Sequence, residues 1–494
     1  MVHEAGSAMG AQRLALPSAD EARDRGAAET APSAKRRRAA GLRGAMLLGT
    51  FLLAAAPAMA AEQRAADATD GTLAPALPMM DGTAVALDRQ LAQAAPAPAQ
   101  PATPAAPAAW ADTLAIGGHL EAGISGNPDA AANRRSLGHL FDDHTNVPVV
   151  NQLWGYIQRP LDPKATDWDF GFVVDGLFGT DARYLHVFDQ FDHPDNSSYQ
   201  PALVEAYGLA HAPGIGAGGM DIKFGQFASP MSAETIDPTN NTFYSHSYIF
   251  NFGVPLQHTG IFTTTHATSI LDLYFGLDTG VNAWLGDSRF GLNNDTVIHG
   301  QAGFALTLLG GNLTLTALTH IGPENPKRVF GSAANSALRY LNDAVLVWKA
   351  SDKLTLTTDV NYIRDDLVNA TGYGFAQYVA YTIDDIFTFV ARGEVWRDNS
   401  GFFVASFQQP YDFINAERGL PTSPGGVIGG GATTYGAITV GVNIKPPVPK
   451  QIAGFVIRPE IRFDDALNGT KPFIGGTQGH QVTLAADFIL PFSF

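Results

Sequence analysis

The chain has 494 residues, of which only 16 % are charged, well below the roughly 25 % of an ordinary soluble chain. Its formal net charge of −16 disfavours nucleic acid and anionic lipid as partners. Cysteine is absent, which excludes disulfide staples and thiol chemistry, and no stretch after residue 60 reaches the ~18 consecutive apolar residues of a membrane helix.

Residues 1–60 read as an N-terminal extension followed by a signal peptide. Lys35, Arg36, Arg37, Arg38 and Arg43 form a basic region, Gly44 to Ala56 an apolar one, and Ala58-Met59-Ala60 a small-x-small cleavage site. Cleavage after Ala60 is expected, with residues 1–34 an upstream extension. It removes 8 basic and 5 acidic residues, leaving 23 and 42, a net charge of −19. Residues 61–112 are rich in alanine and proline. Proline at this density blocks helix and sheet ladders and leaves a stiff linker.

From Thr113 to Phe494 long alternating segments recur. The pattern predicts strands at 113–124, 146–159, 167–178, 202–211, 219–227, 257–267, 269–279, 297–309, 312–321, 337–350, 353–363, 373–383, 385–397, 434–445, 453–464 and 479–494. Their connections interleave. One set is tight, as at Thr268, Gly310-Gly311, Ser351-Asp352 and Asp384, with longer members at 160–166, 212–218 and 446–452. The other set is long: 125–145, 178–201, 228–256, 280–296, 322–336, 364–372, 398–433 and 465–478. Such interleaving fits an all-β, antiparallel up-and-down barrel of about 16 strands with its long loops at one end.

Alternation assigns the faces. Trp168, Phe170, Phe172, Val174 and Phe178 share one side of the third strand, with Asp169 and Asp175 on the other. Phe387, Phe389 and Val395 oppose Arg392 and Glu394, and Phe455, Ile457, Ile461 and Phe463 oppose Arg458, Glu460, Arg462 and Asp464. A charge on a lipid-facing side costs about 2–4 kcal/mol at mid-bilayer, so the charges are expected to face a water-filled lumen. Lys223, Glu205, Asp175, Asp359, Arg392, Glu394, Arg458, Glu460 and Arg462 are the expected pore-lining residues. The last strand carries Phe488, Leu490, Phe492 and Phe494 on its apolar face, the pattern of a C-terminal signal for barrel-assembly machinery.

Several blocks carry a family resemblance. They are Gly179-Thr180-Asp181-Ala182-Arg183-Tyr184, Asp237-Pro238-Thr239-Asn240-Asn241, Tyr244-Ser245-His246-Ser247, Phe250-Asn251-Phe252-Gly253-Val254-Pro255 and His258-Thr259-Gly260. On these the chain resembles the OmpL-like β-barrel porins of bacterial outer membranes, from about Gly117 to Phe494. The resemblance implies a cell outer membrane location in a Gram-negative bacterium and passive passage of small hydrophilic solutes and ions. It also implies contact with outer-membrane lipid and lipopolysaccharide, and, by analogy with general porins, a homotrimer. The third long connection, 228–256, is too apolar to stay in water. It is expected to fold inward as a constriction, with Glu234, Asp237, Tyr244, Tyr248, Phe250 and Phe252, as the third loop of general porins does. Glu234 and Asp237 would then face Arg392, Arg458 and Arg462 across the gap, creating a transverse field.

Other motifs fall short of sites. Asp189, Asp192, His193 and Asp195 are oxygen-rich but lack a full Ca²⁺-loop pattern, so no metal is assigned. Ser245-His246-Ser247 has no Gly-x-Ser-x-Gly elbow. The run Gly425 to Gly431 lacks the lysine of a phosphate loop. The expectation is a channel without catalysis or cofactor. Its alternatives are a substrate-specific channel for sugars or aromatic acids, and a non-transporting surface barrel with a plugged lumen.

Overall fold

The computed structural model describes residues 113–130, 134–163, 165–187, 190, 198–284, 297–325, 327–404, 431–449 and 454–494. The expected signal peptide and linker, the acidic residues Asp189, Asp192, His193 and Asp195, and most of the run ending at Gly431 lie outside them.

Strands β1 (Ala115–Gly126), β2 (Val147–Arg159), β3 (Asp169–Gly179), β4 (Gln200–Ala212), β5 (Met220–Ala228), β6 (Gln257–His266), β7 (Leu271–Val281) and β8 (His299–Leu308) form the first half of the barrel. Strands β9 (Leu313–Gly322), β10 (Arg339–Lys349), β11 (Leu354–Asp365), β12 (Ala370–Thr382), β13 (Phe387–Asp398), β14 (Thr433–Ile444), β15 (Val456–Ala466) and β16 (His480–Ser493) form the second. Each pairs antiparallel with its chain neighbours, and β16 returns to β1 to close a sixteen-stranded barrel. The seam sets Gly117 opposite Ser493 and Gly126 opposite Leu484. Beyond it Phe494 N donates to the Ile116 carbonyl at 2.9 Å. Closure leaves no unpaired sheet edge.

The faces follow the alternation. Outward residues are apolar and exposed, among them Ile261, Leu277, Ile438 and Leu484 at 53, 60, 62 and 54 %. Their inward neighbours Phe262, Asp278, Ala437, Thr439 and Ala485 are buried. This is a barrel with its greasy side out, the reverse of a soluble one.

The long connections share one end, with one exception. Between β11 and β12 the expected long loop at 364–372 is a tight turn at 366–369. Both strands run on further than their apolar alternation, to Asp365 and Ala370, and Asn369 takes the left-handed backbone (φ 53°) that lets the chain reverse at once.

Candidate functional site

The connection from β5 to β6, residues 229–256, runs into the barrel. Its Met231, Ile236, Phe243, Tyr244, Tyr248, Ile249 and Phe250 are all buried, which outside the barrel would be apolar surface in water. Two caps shape it. Asp237 Oδ1 accepts from Thr239 N at 2.9 Å over the turn Pro238–Asn240. Ser247 Oγ accepts from Phe250 N at 3.1 Å and starts a short helix, α1 (Tyr248–Phe252).

An irregular segment surrounded by barrel wall carries backbone groups that no ladder satisfies. The inward charges of the strands meet them. Carboxylates take the N–H groups: Ser232 N donates to Asp343 at 2.7 Å, Ala233 N to Asp359 at 2.8 Å, Tyr244 N to Glu460 at 2.9 Å and Tyr248 N to Glu394 at 2.7 Å. Arginines take the carbonyls. Arg392 donates to Ser245 O at 2.8 Å, Arg462 to His246 O at 2.6 Å, and Arg458 to Pro238 O and Asn241 O at 2.9 and 2.8 Å. Asn361 Nδ2 donates to Gly253 O at 2.9 Å and Gln152 Nε2 to Ile236 O at 2.9 Å. β2, β10, β11, β13 and β15 thus grip one segment from several sides.

All the expected pore-lining residues point inward and are buried. Arg392, Glu394, Arg458, Glu460, Arg462 and Asp359 hold the segment as described. The others form a separate group on the wall. Asp175 Oδ1 accepts from Glu205 N at 3.0 Å, Glu205 Oε1 accepts from Ala228 N at 2.9 Å, and the Lys223 ammonium lies 4.6 Å from the Tyr207 ring centre.

Of the constriction residues, Glu234 touches Arg392 directly, Nη1 to Oε1 at 2.7 Å, and Tyr378 Oη donates to the same oxygen at 2.8 Å. The picture of separated charges facing each other across a gap is therefore corrected at this pair. Burial alone would raise the Glu234 carboxyl, but Arg392 and the hydrogen bonds from His246 and Ser247 N hold it down at about 2. Among the described residues Asp237 meets no arginine. It caps its own turn and lies 3.8 Å from His119 Nδ1. Tyr248 Oη donates to Asp464 at 3.0 Å and Tyr244 Oη to Asn151 at 3.0 Å. Phe250 is buried, and Phe252 packs half-buried against Tyr248. Phe488, Leu490 and Phe492 lie half-exposed and Phe494 fully exposed, away from the segment.

Ser245, His246 and Ser247 are used structurally. His246 Nδ1 pairs with Glu234 at 2.8 Å, Ser245 Oγ accepts from Arg392 at 3.2 Å, and Ser247 Oγ is the helix cap.

The sequence reading missed the first long connection, which also enters the barrel. Leu137, Leu140 and Phe141 are buried, and the Gly138 carbonyl accepts from Asn251 Nδ2 at 3.1 Å. His139 bridges Asp142 at 2.8 Å and Asp464 at 3.1 Å. Burial opposes its protonation, yet Asp142 and Asp464 bring it up to about 9. The Gly179–Tyr184 block has its role here: Arg183 and Tyr184 Oη clasp Asp143 at 2.6 and 2.8 Å, and Asp181 accepts from Asn151 and Gln152 at 2.9 Å each. Asp343 was hidden from the alternation that gave Asp359, since Leu341, Val345 and Val347 on its own face are as apolar as Tyr340, Leu346 and Trp348 on the other.

The family model described as "Putative beta-barrel porin-2, OmpL-like" matches residues 113–492. No curated protein matches the sequence. Among solved structures the chain is similar to the outer membrane channel DcaP of Acinetobacter baumannii, at 13 % identity, 77 % of this chain, 97 % of that chain and a TM-score of 0.47. It is similar to the Salmonella typhi OmpF complex with daunomycin at 10 % identity, 77 % and 97 % coverage and a TM-score of 0.47. The anion-selective porin from Comamonas acidovorans follows at 8 % identity, 77 % and 99 % coverage and a TM-score of 0.46.

Proposed function

Since the chain belongs to the OmpL-like beta-barrel porin-2 family, we propose that it is an outer-membrane porin that passes small hydrophilic solutes and ions by diffusion. The observation that carries this reading is the division of the wall. The outer face is apolar, and the inner face is polar and charged around a segment folded into the barrel. A solute would move past polar groups already fixed by hydrogen bonds, with no chemical step required.

One observation favours a second reading. The inward charges are buried under the segment rather than open to water, as they would be in a surface barrel whose lumen is plugged. Proteoliposome swelling separates the two. Under the porin reading, vesicles holding the folded protein swell in isotonic solutions of small sugars, at rates that fall steeply with solute size. Swelling no faster than in empty vesicles, with folded protein inserted, supports the plugged barrel instead.

A further inference from the structure

At the neck of the inserted segment the barrel wall carries a buried group of histidines and carboxylates that touches the segment only through His258, whose Nε2 meets Ser229 Oγ at 3.3 Å. Phe227 and Ala228, at the end of β5, lie opposite His258 and Gln257 at the start of β6. Ser229 N, the first residue of the segment, donates to the Leu256 carbonyl at 2.9 Å. Just there, His258 of β6, Asp278 of β7, His299 of β8 and His320 of β9 all point inward, joined by Glu324 beyond β9. Each is at most 2 % exposed.

Their spacing is that of ligands. His320 Nε2 lies 3.1 Å from Asp278 Oδ1, and His258 Nδ1 lies 3.5 Å from Asp278 Oδ2. One donor atom from each of these three residues falls within 4.8 Å of the other two. A tetrahedral ion with bonds of about 2.0–2.2 Å sets its ligands roughly 3.3 Å apart. Among the described residues the buried His258 Nδ1 has no polar contact but this carboxylate, and it stands at the long distance of 3.5 Å from it.

The surroundings orient these groups as the outer contacts of a metal site do. Asp278 accepts from Gln301 Nε2 at 2.6 Å and from Gly280 N at 2.8 Å. Gly280 (φ 113°) sits in the β7 bulge that follows Asp278, a backbone position suited to glycine. The far nitrogen of His258 meets Ser229 Oγ at 3.3 Å, and the far nitrogen of His320 lies 3.6 Å from Glu324 Oε1. Glu324 is fixed in turn by His299 Nδ1 at 2.9 Å and Val281 N at 3.1 Å.

We propose that His258 Nδ1, His320 Nε2 and the Asp278 carboxylate bind a divalent transition-metal ion of the zinc class, with His299 and Glu324 as outer partners. Imidazole with carboxylate selects such ions over Mg²⁺ or Ca²⁺, which take mostly oxygen ligands. The ion would tie β6, β7 and β9 together where the segment leaves and re-enters the wall. This reading stands whether or not the barrel conducts.

The test is metal content of the folded full chain. Protein stripped with a chelator, reloaded with Zn²⁺ alone and gel-filtered is expected to hold about one ion per chain by mass spectrometry of the metal. Asp278→Asn and His320→Gln should lower that at least tenfold, while His480→Gln, an exposed histidine, leaves it unchanged. Heat-modifiable migration on gels shows which variants are folded. If those two variants do not fold, Co²⁺ loading of the wild type decides: a visible absorption band of tetrahedral cobalt is expected. Folded wild type that retains no Zn²⁺ and shows no cobalt band overturns the proposal. So does an Asp278→Asn variant that binds as well as wild type.

Discussion

At the residue scale the central finding is what the inward charges do. Alternation alone says that Arg392, Arg458, Arg462, Glu394 and Glu460 face inward. It does not say what they face, and the structure answers that they face another stretch of the same chain. Removing one partner of a buried ion pair leaves the other uncompensated, at a cost on the order of 3–5 kcal/mol. Arg392→Ala should therefore loosen the segment, because Glu234 loses its guanidinium partner and the Ser245 carbonyl its arginine donor. Limited chymotrypsin digestion of the folded barrel checks this: new cleavage at Phe243, Tyr244 or Tyr248 is expected in the variant and not in wild type. His139 makes a second prediction. Its pKa is raised from the ordinary 6.5 to about 9. Stability from its charged contacts is thus fully present below pH 6.5 and lost as pH rises through about 9. Proteolysis of the first long connection should accelerate between about pH 8 and 10, and His139→Gln should remove that dependence.

At the scale of the element, period-two alternation carried most of the information, because a lipid-facing side and an inner side differ so sharply in what they tolerate. Strand ends lie within a few residues of expectation. The largest departures, 373 against Ala370 and 453 against Val456, fall where polar or glycine-rich ends obscure the period. The turn at 366–369 was misread for the same reason. Legibility failed for the first long connection. Its apolar residues are scattered among Asp142, Asp143 and His144, so no periodicity marks it as buried, and its partners Asn251 and Asp464 are remote in sequence. The inserted segment was legible because its aromatics are dense, but its contacts were not, since they depend on three-dimensional register. Two predictions belong here. Ile261→Arg, in the middle of the outer face of β6, should destabilise the folded barrel by about 2–4 kcal/mol, read as a lowered urea midpoint in lipid vesicles, with Ile261→Leu neutral. Deleting Phe494 should lower the heat-modifiable, folded fraction recovered from membranes if the terminal aromatic face guides assembly.

At the scale of the whole molecule the barrel is a wall and the segment is its fitting. The wall closes without an edge, and its charges, instead of lining open water, secure an irregular piece of backbone inside it. Under the proposed porin function solutes pass beside this piece, and permeability then depends on how firmly the charges hold it. The most direct test is single-channel conductance of folded wild type and of Arg392→Ala in planar bilayers. Discrete, long-lived steps from wild type, enlarged in the variant, are predicted. Inserted, folded wild type that gives no steps would contradict the account of this protein as a porin.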